Sequence, residues 1–131
     1  MLATRAVEAL AGVTIALPGV AASPDLTLFV GGGSLSRPLM EASRARLAGN
    51  IVVGYGATET GGLAQGHTDL LEGFADAAGF VQPWAEVDVV DPEGRSLPSG
   101  EIGEIRIRGE ELVGGYLDDI AQPGRAAFRD G

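Results

Sequence analysis

The sequence predicts an α/β fold in which a parallel βαβ unit is followed by an antiparallel, β-rich segment that reads as part of a barrel. Two short apolar runs, residues 26–30 and 51–53, each lead into glycine, and a helical pattern lies between them. Downstream, Glu104-Ile105-Arg106-Ile107-Arg108 alternates strictly, the period of a strand with isoleucines toward a core and arginines toward solvent. The turn clusters Asp91-Pro92-Glu93-Gly94 and Pro98-Ser99-Gly100 separate it from another short strand at 86–90, as antiparallel strands require.

Taken in order, residues 2–11 place Leu2, Ala6, Val7 and Leu10 on one side of a short amphipathic helix. Arg5 and the apolar stretch 9–17 outline a signal peptide, but Glu8 and Pro18 break that pattern. Residues 26–30 read as a buried strand feeding the tight turn Gly31-Gly32-Gly33. Ser36 is the expected N-cap of the next helix and Pro38 fits its first turn. Leu39, Met40, Ser43 and Leu47 share one face, and Gly49 marks the expected left-handed end. Residues 51–53 form the second buried strand. Two strands joined by a helix run parallel, and ligands bind beyond their carboxyl ends, where both glycine-rich stretches, 31–33 and 54–62, fall. Asp118 and Asp119 suit the cap of a last short helix, interrupted by Pro123. The division expected is an α/β piece at 1–80 carrying the pocket loops, and an antiparallel piece at 81–131.

Composition removes several functions. The 131 residues carry 9 basic and 18 acidic groups, a net charge of −9, and every basic group is arginine. So acidic a surface repels a phosphate backbone, which argues against a nucleic-acid partner. The lack of cysteine excludes disulfides, thiolate catalysis and cysteine zinc sites, and the single histidine, His67, builds no metal cluster and reads as an exposed loop residue. The longest weakly polar stretch, 9–22, is interrupted by Pro18 and is shorter than the roughly 20 residues that span a bilayer. A cytoplasmic protein is expected. Trp84 beside Pro83 reads as a core or rim plug.

The chemistry concentrates in Gly54-Tyr55-Gly56-Ala57-Thr58-Glu59-Thr60-Gly61, placed directly after a buried strand. It offers an aromatic plate, backbone N–H groups left open by glycine, a hydroxyl and a carboxylate. These are parts for holding a nucleotide and a divalent ion: a base lies against an aromatic face, hydroxyl and amide donors meet a phosphate, and a carboxylate binds Mg²⁺. An ordinary glycine-rich strand-to-helix turn has the same composition.

The segment resembles the adenylate-forming superfamily of acyl-CoA and aryl-CoA synthetases, luciferases and nonribosomal adenylation domains. Gly31-Gly32-Gly33-Ser34-Leu35-Ser36 is similar to that family's Gly-Gly-Ala-Pro-Leu-Ser segment, and residues 54–61 resemble its Tyr-Gly-x-Thr-Glu signature. The stretch from Gly100 to Gly109, with Gly115-Tyr116-Leu117, resembles its Gly-Glu-hydrophobic motif and later Gly-Tyr-hydrophobic motif. The resemblance implies ATP-dependent activation of a carboxylic acid to an acyl-adenylate, then capture by coenzyme A as a thioester. It implies that Tyr55 stacks on adenine within Gly54, Tyr55, Gly56 and Ala57, that Gly31, Gly32 and Gly33 line the adenine and acyl pocket, that Thr58 touches the α-phosphate and that Glu59 binds Mg²⁺. Thr58 and Glu59 are thereby the catalytic candidates.

The departures are informative. The family's phosphate-gripping loop has no counterpart in these residues, its ribose-binding aspartate motif would begin after Gly131, and its catalytic lysine is impossible in a chain without lysine. The chain is therefore expected to be about a quarter of such an enzyme, to need the remainder for turnover, and to be inactive alone. A −9 fragment also repels ATP unless cations are supplied. The alternative is a non-catalytic nucleotide-binding or protein-interaction remnant of the same enzyme.

Overall fold

A computed structural model describes residues 2–3, 21–74, 77–110, 112–115 and 128. The chain divides into two compact units, residues 1–56 with 62–80, and 57–61 with 81–131.

The first unit is built on a sheet ordered β1-β2-β3-β4-β5: β1 Leu2–Ala3, β2 Ser23–Gly31, β3 Ala48–Ala57, β4 Gly61–His67 and β5 Phe80–Val81. Helix α1, Arg37–Arg46, links β2 to β3, and a 3-10 turn, Thr68–Leu71, follows β4. β2 pairs parallel with β1 and with β3, matching Leu28 to Ile51, Val30 to Val53 and Gly31 to Gly54. This is the βαβ unit that the sequence predicts.

α1 starts where expected, with Ser36 as N-cap and Pro38 in the first turn, although the Ser36 side chain makes no capping hydrogen bond. The helix ends at Arg46, not at Gly49. The Leu47 N–H closes the last turn on the Ser43 carbonyl at 2.8 Å, and the Leu47 carbonyl accepts from the Ser23 N–H at 3.0 Å. With those groups satisfied no left-handed glycine is required, and Gly49 lies inside β3.

The core of this unit joins Leu28, Val30, Ala48 and Ile51 to Leu35, Leu39, Met40 and Leu47. Ser43 is fully buried on the same helix face. Burying the larger of these side chains stabilises the unit by about 1.5–3 kcal/mol each. β2 is not covered on both sides as its apolar run suggests: Leu28 and Val30 are buried, while Leu26 is 49% and Phe29 40% exposed. Among the described residues α1 covers one face, so burial alternates with the strand period. The helix expected over 2–11 meets a strand at Leu2–Ala3, and the rest of it lies outside the described residues, as do Asp118, Asp119 and Pro123.

The second unit carries an antiparallel two-stranded sheet, β6 Ala85–Val90 and β7 Glu104–Gly109. Val87 faces Ile107 and Val89 faces Ile105, while Glu86 opposes Arg108 and Asp88 opposes Arg106. Cross-strand pairs of this kind fix register. Gly94 at φ +83 closes the turn from Asp91, and the Trp84 ring packs on Gly109. The isoleucines are less enclosed than the alternation predicts, Ile105 being 49% exposed, because a two-stranded ribbon covers its apolar face poorly by itself. Arg108 is solvated as expected, whereas the Arg106 guanidinium lies against Gly94. No helix among the described residues is long and apolar enough to cross a membrane.

Candidate functional site

The parallel register of β2 and β3 puts Gly31 beside Gly54, so both glycine segments leave the sheet at the same end. After Gly31 the chain turns through Gly32 at φ +80, a conformation that favours glycine, and enters α1. A cavity of about 870 Å³ opens at this end of the first unit. Gly32, Gly33, Gly54, Tyr55 and Gly56 line one part of it. No atom lies within 4 Å of where a Gly32 side chain would begin, so the backbone there is open. Tyr55 is 47% exposed and belongs to the lining, an accessible aromatic residue beside open peptide groups. Met40, Thr68, Leu71 and Phe74 add a largely apolar wall, and Arg37 and Glu72 contribute one charge of each sign.

The residues following Tyr55 do not form the open loop or strand-to-helix turn that their glycines suggest. β3 runs on to Ala57, and residues 58–60 reverse the chain into β4. Thr60 closes that turn: the Ala57 N–H donates to its Oγ1 at 2.9 Å, and its own N–H donates to the Ala57 carbonyl at 3.2 Å. Thr58 is exposed at the tip, Glu59 is half-buried, and the Glu59 carbonyl accepts from the Val113 N–H at 3.2 Å. Ala57–Gly61 group with the second unit.

Among the described residues no cluster of three acidic or histidine side chains stands ready to cage a metal. Mg²⁺ held by one or two carboxylates, waters and the phosphates of a nucleotide requires no such cluster. Glu59 carries a half-buried carboxylate on that tight turn.

Of the residues singled out in the sequence, Gly32, Gly33, Gly54, Tyr55 and Gly56 thus share one cavity. Gly31 is buried as the last residue of β2 and is not in the lining; Ala57 ends β3, Thr58 and Glu59 occupy the turn after it, and all three group with the other unit. His67 is a half-buried residue at the end of β4, not an exposed loop residue. Its Nδ1 accepts from the Asp69 N–H at 3.4 Å, which caps the 3-10 turn. Residues 68–74 of the cavity wall have no signal in the sequence, because they are neither periodic nor rich in turn formers.

A family profile described as AMP-binding enzyme matches residues 2–117. Over 130 residues the chain is 35% identical to a 4-coumarate–CoA ligase of Glycine max, covering 86% of this chain and 43% of that protein. Over 109 residues it is 38% identical to a 4-coumarate–CoA ligase of Arabidopsis thaliana, covering 79% of this chain and 19% of that protein. The solved structure of O-succinylbenzoate coenzyme A synthetase from Bacillus subtilis in complex with AMP superposes with a TM-score of 0.78 at 22% identity, over 99% of this chain and 26% of that one. The same protein has been solved with ATP and magnesium. The chain therefore spans less than half the length of these relatives.

Proposed function

The chain belongs to the AMP-binding enzyme family, and we propose on that premise that it forms part of an ATP-dependent carboxylic acid:CoA ligase. In this reading the cavity at the ends of β2 and β3 takes the adenosine and the acyl group. Tyr55 lies against the purine, Gly32, Gly33, Gly54 and Gly56 let the backbone approach it, Thr58 donates to the α-phosphate, and Glu59 holds Mg²⁺. The carboxylate oxygen of the acid attacks the α-phosphorus, pyrophosphate leaves, and the thiol of CoA then displaces AMP. Glu59 acts as no base, since a carboxylic acid is already ionised near pH 7. When bound, Mg²⁺ offsets the negative charge that gathers on the phosphoryl oxygens. The partners proposed are the acid, ATP, CoA and the remainder of the adenylating enzyme, and the compartment proposed is the cytoplasm, where those substrates are available.

One observation carries this reading: an exposed tyrosine ring lines a cavity whose neighbouring walls are glycine backbone. Adenosine monophosphate titrated calorimetrically into the chain and into Glu59→Ala, with and without Mg²⁺, tests it. The expected result is that Mg²⁺ tightens binding to the unaltered chain and not to the variant. An equal response of both to Mg²⁺ removes Glu59 from the site.

A further inference from the structure

We propose that Arg44 is a positioning residue: by fixing the 3-10 turn that begins the cavity wall at residues 68–74, it determines the size of acid that the cavity accepts. This rests on reading the cavity as the nucleotide and acyl site. Arg44 sits near the end of α1 and lines no part of the cavity, yet it reaches a segment 24 residues further along the chain. Its Nη2 donates to Thr68 Oγ1 at 2.6 Å and to the Asp69 carboxylate.

The Thr68 hydroxyl is buried and donates in turn to the Ile51 carbonyl of β3 at 3.1 Å. A hydroxyl that accepts from one side and donates to the other has its orientation fixed. Helix, turn and strand are thereby tied through one side chain. Thr68 itself lines the cavity, and Leu71 and Phe74 follow it in the same wall.

Among the described residues no other side chain of α1 hydrogen-bonds to residues 68–74. The turn's remaining polar ties are local. The Asp69 N–H meets His67 Nδ1, the His67 ring lies 3.3 Å from the Asp69 carboxylate, and the Phe74 N–H donates to the Leu71 carbonyl at 3.1 Å. These shape the turn without anchoring it to the helix. Both contacts come from Nη2, whose two hydrogens serve the two acceptors, and the length and planarity of the guanidinium set where that nitrogen lies, which a lysine's ammonium on its flexible stem matches only in part.

The test compares Arg44→Gln, Arg44→Lys and Asp69→Asn with the unaltered chain, each checked for folding by its amide NMR spectrum. Benzoate and the bulkier 4-phenylbenzoate are titrated at saturating AMP, and AMP is titrated alone. Asp69 is 58% exposed and outside the cavity lining, so its variant reads the same tie with little risk to the fold. The expected result is that the ratio of the two acids' affinities falls at least fivefold in Arg44→Gln and less in Asp69→Asn, that Arg44→Lys recovers part of it, and that AMP affinity stays within twofold. An unchanged ratio in folded Arg44→Gln, or in Asp69→Asn should the former not fold, overturns the proposal while AMP binding by the unaltered chain leaves the nucleotide reading standing. Failure of the unaltered chain to bind AMP overturns both.

Discussion

Truncating Tyr55 to alanine is expected to weaken AMP binding about ten- to sixtyfold while leaving the fold in place. A fully enclosed tyrosine buries about 150–250 Å². With the residue 47% exposed, roughly 100 Å² is open to a ligand. At about 25 cal/mol per Å², covering all of that surface is worth about 2.5 kcal/mol, and covering half of it about 1.3 kcal/mol. With about 1.4 kcal/mol per decade of affinity, these bounds give the stated range, and they fall within the ~1–3 kcal/mol per stacked base found by alanine substitution elsewhere. Stability is expected to fall by less than the ~3–5 kcal/mol typical of a buried aromatic, because about half of this residue's surface is already in water. Calorimetric titration of AMP at fixed salt and Mg²⁺, with a thermal melt of each protein, measures both quantities. Tyr55→Phe keeps the ring face and is expected within twofold of the unaltered chain. The reasoning is refuted if Tyr55→Ala also binds within twofold, or if Tyr55→Phe is as weak as Tyr55→Ala.

Two further outcomes follow from the fold. Gly79 adopts φ +125 and an added Cβ would come within 2.3–2.7 Å of the Gln65 backbone, so Gly79→Ala combines backbone strain of about 1–3 kcal/mol with overpacking of about 1–3 kcal/mol and is expected to lower Tm by on the order of 10 °C. Gly73→Ala, at φ +88 with open space around it, carries the strain alone, and an equal drop in calorimetric Tm would contradict the steric argument. In the second unit the Arg95 N–H on Asp91 Oδ1 at 2.9 Å holds that carboxyl below its ordinary value of 3.8, and the Arg95 side chain on Oδ2 at 2.7 Å adds to the effect. A depressed folded value stabilises the chain above the unfolded value near 4, and that contribution is lost as pH falls through the folded value. Arg95→Ala keeps the backbone donor, so the Asp91 midpoint in a carboxyl-carbon NMR titration is expected to rise only part of the way to 3.8.

Local signals were sufficient for β2, α1 and β3. The apolar runs at 26–30 and 51–53, Ser36, Pro38 and the face of Leu39, Met40, Ser43 and Leu47 act within a few residues of one another, and they locate the sheet end where the cavity opens. What escaped depends on distant partners. Gly49 looks like a helix terminator, but the Ser23 N–H, brought in by the sheet, satisfies the Leu47 carbonyl instead. β4, Gly61–His67, has poor strand propensity and becomes a strand through its place in the sheet. For the same reason the stretch 54–62 reads as a loop while its first part continues β3. Phe29 and Ile105 show the converse limit: a short apolar or alternating run signals a strand, yet its exposure depends on which layers cover it. The wall at 68–74 and its tie to Arg44 join residues too far apart for any spacing rule to relate them.

The central claim is that Tyr55 offers its ring to a purine in the cavity between the ends of β2 and β3. Intermolecular nuclear Overhauser effects in the AMP-bound chain measure this directly. The account predicts cross-peaks from adenine H2 and H8 to the Tyr55 ring protons and to the Gly32 and Gly33 α-protons. Cross-peaks from the adenine to Trp84 instead, with none to Tyr55, would contradict it.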